Sequence, residues 1–179
     1  MEMDLKKIRI DSSWSLFLDR DGLINERLID DYVKNIGEFK LNPEFLRYYP
    51  IFRKIFHRIF IVTNQRGIAR GVMSKADLEK IHTHLEEILE QSGGKPDHIY
   101  YCPHENNSCN CRKPEPGMGY FAKKDFPEIQ FSKSAMIGDS KSDMLFGHNL
   151  GMLSVMYPDN QGSFGDLSFQ EFISFLNHV

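Results

Sequence analysis

Two aspartates stand directly after an apolar stretch near the beginning of the sequence. The segment SLFLDRDGLIN (15–25) places Asp19 and Asp21 on either side of an arginine. In an extended chain, residues two apart point to the same side, so both carboxylates can face one site. Close carboxylates repel each other, and a divalent cation removes that repulsion. Asp139 offers a third carboxylate, and an all-oxygen ligand set of this kind favours Mg²⁺.

Further polar residues follow later apolar stretches of the chain. Thr63, Asn64 and Gln65 come after RIFIV, and Asp139 comes after SAMIG. Lys113 stands before the second of these stretches. An Asp-x-Asp-Gly segment alone is typical of an ordinary turn, because Asp and Gly favour turns for backbone reasons. The chain, however, carries four features in order: the Asp-x-Asp pair, Thr63, Lys113 and the Gly-Asp pair that ends in Asp139. Together these features favour an active site.

A second candidate metal site lies in the loop YCPHENNSCNCRKP. Its candidate ligands are Cys102, His104, Cys109 and Cys111. Three thiolates and one imidazole match a tetrahedral zinc set, and four protein ligands leave no open position, so the zinc would be structural. Free cysteines and a local disulfide are the alternatives. A metal here would also fix Arg112 and Lys113, which follow the last ligand, and fixed charges stabilise a transition state better than mobile ones.

Alternating strands and helices must position these residues. Apolar runs predict buried strands at 14–18, 58–62, 98–102, 134–138 and 152–156. Capping patterns and periodicity predict helices at 43–56, 74–91, 117–125, 140–149 and 168–177. The alternation predicts an α/β fold, a three-layer Rossmann-like arrangement with a parallel sheet, whose ligands bind at the carboxyl ends of the strands. We expect one domain over residues 1–179.

The composition limits the classes of partner. With 179 residues, of which 41% are hydrophobic, the chain can form one compact core. A formal net charge of −3 provides no field that would attract a nucleic acid or an anionic membrane surface. No apolar run approaches the length of a membrane span, and the first residues lack the apolar core of a signal peptide. We therefore expect a cytoplasmic monomer that binds a small molecule.

The four motifs DRDG, TNQ, RKP and GDSKSD resemble those of the haloacid dehalogenase superfamily of aspartate-nucleophile phosphatases. The resemblance implies that Asp19 attacks phosphorus to form an aspartyl phosphate, and that Asp21 serves as acid and then as base. It implies Mg²⁺ held by the Asp19 carboxylate, the Asp21 backbone carbonyl and Asp139. It also implies that Thr63 and Lys113 hold the phosphoryl oxygens, which suits the charge of the transition state.

Two related phosphatase groups carry a comparable cysteine loop. The segments TNQRGIARG, YYCPH and CRKPEPGM resemble the heptose 1,7-bisphosphate phosphatases, whereas the short cysteine loop resembles the histidinol-phosphate phosphatases. The first resemblance implies a sugar phosphate substrate that contacts Asn64, Gln65 and Arg112. Histidinol phosphate remains the alternative substrate.

No folded cap domain fits between the predicted elements, so we expect a capless enzyme whose specificity comes from loops 23–42, 64–72 and 102–113. An open site also admits polymers, and a polynucleotide 3′-phosphatase is a further alternative, against which the acidity of the chain argues. A zinc-stabilised interaction module without activity is another. His82 and His84 lie two apart on a predicted helix, too far around its axis to share a metal, and we expect them on a solvated face.

Overall fold

The computed structural model describes residues 8–159 and 164–176. These residues form a parallel sheet of six strands in the order β3-β2-β1-β4-β5-β6. The strands are β1 (Ser15–Leu18), β2 (Arg58–Asn64), β3 (His98–Cys102), β4 (Ser134–Gly138), β5 (Leu153–Met156) and β6 (Leu167–Ser168). In a sheet of this order, the carboxyl ends of β1 and β4 meet where the connections reverse direction, and ligands bind there.

The helices between the strands begin and end close to the predicted positions. They are α1 (Pro43–Ile55), α2 (Lys75–Gln91), α3 (Gly117–Asp125), α4 (Lys141–Leu150) and α5 (Phe169–Leu176), with 3₁₀ helices at Ile36–Glu38 and Phe131–Lys133. The predicted cap of α2 is confirmed, since Ser74 and Asp77 form a reciprocal capping box. The α/β prediction is therefore confirmed for both strands and helices.

Successive strand residues pack into apolar cores on opposite faces of the sheet. Leu16 and Leu18 join a cluster that contains residues of α1, α2 and α5, whereas Phe17 joins a cluster with residues of α3 and α4. Phe17 and Phe60 contact each other with ring centroids 5.0 Å apart. Each such buried side chain contributes about 1.5–3 kcal/mol. Helices thus cover both faces and leave the strand ends free.

The segment after β1 contains little regular secondary structure. Within residues 19–42, the structure has one 3₁₀ helix and isolated bridges from Asn25 to Asp21 and Leu41. We call residues 23–42 the flap. Strand β6 was not predicted, because a two-residue strand carries no readable pattern. Among the described residues, no helix combines the length and apolarity needed to cross a lipid bilayer.

Candidate active site

A cleft of about 470 Å³ opens at the carboxyl ends of β1, β2 and β4. It is lined by Asp19, Thr63 and Asp139, each at or just after the end of its strand. The basic side chains along the cleft are Arg27, Arg66, Arg70, Arg112 and Lys113. The cleft is also lined by carboxylates, those of Asp19, Asp21, Asp30, Asp31, Asp139 and Asp143. It therefore combines carboxylates that can bind a divalent cation with basic side chains that can contact an anionic ligand.

Asp19 lies at the centre of the cleft. Its backbone N–H donates to the Ile137 carbonyl oxygen over 2.9 Å, which fixes the residue as a continuation of the β1–β4 pairing. Its side chain is buried and accepts a hydrogen bond from Lys113 Nζ over 2.6 Å. Burial raises the pKa of Asp19, the nearby Asp143 raises it further, and Lys113 opposes both. The carboxylate is therefore held in place by a cation but remains costly to ionise.

Three carboxylates converge beside it. Oxygens of Asp19, Asp139 and Asp143 all lie within 4.8 Å of one another. Burial and then Asp143 also raise the pKa of Asp139. Gly22, with φ of +103°, leaves the room that this approach needs, since a Cβ there would collide with the Asp139 carboxylate. This all-oxygen set fits a hard divalent cation such as Mg²⁺, which would relieve the repulsion.

The turn after β4 places two of these carboxylates. Ser140 caps α4, and Asp143 accepts hydrogen bonds from the Ser140 backbone N–H at 3.1 Å and from its Oγ at 2.6 Å. Asp143 also pairs with Lys113 Nζ at 2.6 Å. Asp143 therefore links the helix start to the lysine and supports the position of that cation.

Lys113 is buried, with three oxygen atoms around its ammonium group. Nζ contacts Asp19, Asp143 and the Val62 carbonyl oxygen, the last at 2.7 Å. Burial lowers the pKa of Lys113, but the two carboxylates outweigh burial and raise it overall. Asn64 fixes the backbone of Lys113 from both sides, accepting from its N–H over 3.0 Å and donating to its carbonyl over 3.1 Å. Lys113 is thus a permanently charged group in a fixed position.

The Asp21 carboxylate points into a separate hydrogen-bond network. Arg20 Nη2 donates to both of its oxygens at 2.8 Å, Asn25 Nδ2 donates at 3.0 Å, and Gln65 Nε2 donates at 2.7 Å. Gln65 Nε2 also donates to Thr63 Oγ1 at 2.8 Å. Burial raises the pKa of Asp21, but the charge of Arg20 and the hydrogen bonds outweigh it, so the pKa is lowered. Asp21 is therefore ionised and held in one orientation.

The cysteine loop (residues 102–113) folds its candidate ligands together. Contacts of 3.1 to 3.5 Å join three Sγ atoms and one Nδ1, those of Cys102, Cys109, Cys111 and His104. The three cysteines are free thiols, so the structure contains no local disulfide at these positions. Gly117 packs against the loop, where a side chain would collide with the Asn110 and Cys111 backbone. The donor set suits a soft tetrahedral cation.

Comparisons with known proteins identify the family. Residues 110–171 match the family model described as HAD-hydrolase-like. Over 143 residues the chain is 38% identical to the D-glycero-alpha-D-manno-heptose-1,7-bisphosphate 7-phosphatase of Mycobacterium bovis, covering 79% of this chain and 75% of the relative. The chain belongs to the HAD-like phosphatases. It is accordingly a phosphoric monoester hydrolase.

Further relatives agree with this assignment of the HAD-like phosphatase. The D-glycero-beta-D-manno-heptose-1,7-bisphosphate 7-phosphatase of Pseudomonas putida is 36% identical over 148 residues, with 82% and 83% of the two chains covered. A crystal structure of the D,D-heptose 1,7-bisphosphate phosphatase of B. bronchiseptica, complexed with magnesium and phosphate, superposes with a TM-score of 0.74 at 31% identity. That match covers 80% of this chain and 79% of the other.

The structure brings most of the predicted site residues of this HAD-like phosphatase into or beside the cleft. Asn64 and Arg112 line it, although the Asn64 amide is engaged by the Lys113 backbone. Gln65 lies behind Asp21, with its amide nitrogen donating to Asp21 and Thr63. Gln65 is therefore placed to hold Asp21, and a direct contact with substrate remains a prediction.

Three site residues of the HAD-like phosphatase escaped sequence reasoning. Arg20 is fully buried against Asp21, and Arg27 of the flap reaches Asp139 with a distance of 3.3 Å. His82, expected on a solvated face, is instead buried, because the face of α2 that carries it packs over Arg20. The position of Arg20 between two functional aspartates was a usable signal, whereas no local pattern marked His82.

Proposed function

We propose that this HAD-like phosphatase removes the 7-phosphate from D-glycero-D-manno-heptose 1,7-bisphosphate through an aspartyl phosphate on Asp19. The observation that carries the proposal is the buried Asp19 carboxylate, 2.6 Å from Lys113 and clustered with two further carboxylates in a cleft that also carries basic side chains. Relatives named for this substrate share 36–38% identity over most of the chain. Their names include both anomers, so the proposal covers either.

Two successive displacements account for the reaction. First, an Asp19 oxygen attacks phosphorus, the bond from phosphorus to the ester oxygen breaks, and Asp21 gives that oxygen a proton. Then Asp21 takes a proton from water, the water oxygen attacks the same phosphorus, and Asp19 is released with inorganic phosphate. Lys113 and Thr63 hold the phosphoryl oxygens throughout. Asp21 is ionised in the network described above, so it must first bind a proton from solvent. Asn25 or Gln65 must also release one of the Asp21 oxygens for the ester oxygen, while Arg20 keeps hold of the carboxylate.

The carboxylate cluster supports a resident Mg²⁺. We propose the Asp19 carboxylate, the Asp21 backbone carbonyl and Asp139 as its protein ligands, with Asp143 behind them. When bound, the ion supplies positive charge beside the phosphoryl group. Arg27, which lies 3.3 Å from Asp139 and is largely exposed, is free to turn toward substrate once that carboxylate binds a cation.

The cysteine loop supports a structural Zn²⁺ at Cys102, His104, Cys109 and Cys111. The loop begins at the end of β3, where the Gln65 N–H donates to the Cys102 carbonyl oxygen over 2.7 Å. Its other end carries Arg112 and Lys113 into the cleft. A metal that binds Cys111 together with the start of the loop therefore also fixes the two cations that directly follow Cys111.

Replacing Cys109 with serine is expected to lower zinc content, melting temperature and activity together. Loss of one thiolate removes a ligand from a site whose binding energy contributes directly to folding. Metal analysis of the parent should give about one Zn²⁺ per chain, distinct from exchangeable Mg²⁺. Ser108→Ala, beside it in the same loop, serves as the control. A zinc-free protein with full activity and an unchanged melting temperature would contradict the assignment.

Arg112 is the candidate for the second phosphate. It lines the cleft, and its Nη1 is buried with no hydrogen-bond partner among the described residues. A buried unpaired donor is costly, and an anionic ligand would supply its partner. Arg66 and Arg70 are less available, because Arg66 Nε donates to the Tyr32 hydroxyl over 3.0 Å and Arg70 pairs with Glu105 at 3.3 Å.

Arg112→Ala is expected to lower kcat/KM for the heptose bisphosphate by about 10–10²-fold, because a hydrogen bond to a charged group contributes about 1.5–3 kcal/mol. A small generic phosphate ester, which has no second phosphate, should lose far less. Arg47→Ala, an exposed arginine on α1, should change neither value. Equal losses on both substrates would mean that Arg112 acts on the transferred phosphoryl group instead.

The substrate proposal itself is tested by comparing kcat/KM across four ligands. They are the alpha and beta heptose 1,7-bisphosphates, histidinol phosphate and a 3′-phosphorylated oligonucleotide, each with Mg²⁺ present. We expect one of the heptose bisphosphates to give the highest value. Faster hydrolysis of histidinol phosphate or the oligonucleotide would overturn the substrate, and no turnover of any ligand would favour the non-catalytic interaction module.

A further inference from the structure

Arg20 has an unusual environment for an arginine. Its side chain has no exposed surface. On one side its Nη2 donates to both Asp21 oxygens at 2.8 Å, and on the other its Nη1 lies 3.3 Å from His82 Nε2. The ring of Phe39 lies under the guanidinium carbon at 5.9 Å. A buried charge in such a setting must be paired on every side, so each contact matters for its orientation.

His82 supplies the contact that faces away from the cleft. It lies on α2, 62 residues from Arg20 along the chain and 9% exposed. A guanidinium can only donate, so His82 Nε2 must accept and the ring must be neutral, with its proton on Nδ1. Burial, followed by the charge of Arg20, lowers the pKa of His82 to about 3. The ring is thus a fixed acceptor at any physiological pH.

We propose that His82 and Arg20 are a positioning pair that sets the orientation of the Asp21 carboxylate for proton transfer. The inference rests on the proposed function, because it needs Asp21 as acid and base. Arg20 donates to His82 on one side and to Asp21 on the other. The position of His82 on α2 therefore determines how Arg20 orients the Asp21 carboxylate. Asn25 and Gln65 then select one oxygen each, at 3.0 and 2.7 Å.

Removing the histidine acceptor should loosen this chain of contacts. In His82→Leu, Arg20 Nη1 would be buried without a partner, and the guanidinium would rotate toward another acceptor. Proton transfer depends on the position of the carboxylate to within a fraction of an ångström, and misplacement by about 1 Å can cost about 10²-fold. The attack by Asp19 on phosphorus, by contrast, does not use the Asp21 carboxylate.

The test therefore compares two substrates that differ in their need for an acid. The sugar alkoxide of heptose bisphosphate must be protonated as it leaves, whereas the nitrophenolate of p-nitrophenyl phosphate leaves without a proton. His82→Leu is expected to lower kcat/KM about 10–10²-fold on the bisphosphate and less than about threefold on p-nitrophenyl phosphate. The retained reaction on the second substrate also shows that the variant is folded.

Two further variants distinguish the loss of the hydrogen-bond acceptor at His82 from a change in the packing around it. His82→Gln offers a side-chain oxygen to Arg20 and should recover most of the activity on the bisphosphate. His84→Leu is the matched control, because His84 lies edge-on to Phe39, with ring centroids 6.5 Å apart, and perturbs the same neighbourhood without removing the acceptor. We expect parent-like values on both substrates for this variant.

Comparison with Asp21→Asn distinguishes a wrong role for His82 from a wrong role for Asp21. Asp21→Asn measured alongside should show the same selective loss on the bisphosphate. If it does and His82→Leu does not, or if His82→Gln is no better than His82→Leu, the positioning pair is refuted while the acid role of Asp21 stands. If Asp21→Asn shows no selectivity, the acid role fails and the inference fails with it.

Discussion

Replacing Asp19 with asparagine is expected to abolish turnover, with kcat lower by at least about 10⁴-fold, since removing the covalent nucleophile of an enzyme can cost about 10⁶-fold. An amide cannot attack phosphorus, and it brings no charge to the carboxylate cluster. Neither Asp139 nor Asp143 replaces it, since Asp143 is held by Lys113 and Ser140, and Asp139 follows another strand. The whole reaction depends on this one oxygen.

The same variant should fold normally. Burial and the charge of Asp143 raise the pKa of Asp19, so its ionised form opposes folding when no metal is present. In a chelator, the melting temperature of Asp19→Asn should therefore equal or exceed that of the parent. Asp125→Asn is the matched control, because that exposed carboxylate accepts from the Tyr100 hydroxyl far from the cleft, and an amide oxygen can still accept.

Turnover within tenfold of the parent, in protein shown by mass spectrometry to be free of deamidation, would remove Asp19 from its role. Trapping experiments give a second measurement. Acid-quenched parent enzyme should carry covalently bound phosphate during turnover, and the variant should carry none. Phosphate bound to the variant at another aspartate would move the nucleophile there.

Strand ends could be placed from the sequence because apolar runs and turns are local signals. Asp19 follows SLFL, Asp139 follows SAMIG, and a parallel sheet brings such positions to one edge whatever the details of packing. The cysteine cluster could be placed for the same reason, since its four residues lie within ten positions. Local sequence information was sufficient for residues whose position follows directly from the strand they end or from their closeness along the chain.

Contacts between distant elements could not be predicted in this way. Whether His82 is buried depends on how α2 is rotated about its own axis against the flap and β1. The periodicity of apolar residues predicts this rotation only approximately, so it does not show whether a residue at the edge of the apolar face is buried or exposed. Asn64 was expected at the substrate, yet its amide binds the backbone of Lys113, 49 residues away. Such side-chain partnerships follow from tertiary geometry that no neighbouring residue encodes.

Asp21→Asn is expected to separate the two proton transfers from metal binding. Asparagine leaves the backbone carbonyl in place, so the Mg²⁺ concentration for half-maximal activity should change little. Loss of the acid should lower kcat/KM for heptose bisphosphate by about 10²–10⁴-fold. On p-nitrophenyl phosphate, kcat/KM should be largely retained, because Asp19 still attacks and nitrophenolate leaves unaided.

The second proton transfer gives this variant its distinctive behaviour. Without the Asp21 base, water attacks the aspartyl phosphate slowly, so kcat on p-nitrophenyl phosphate should fall while kcat/KM does not, and phosphorylated enzyme should accumulate after an initial burst. Asp125→Asn again provides the control. Asp21→Asn also removes the negative charge that pairs with Arg20. The melting temperature of this variant should therefore fall, because the buried guanidinium is left without its anionic partner. A variant that lost Mg²⁺ binding, with equal losses on both substrates and no burst, would assign Asp21 to the metal and leave the acid and base of this phosphatase to another residue.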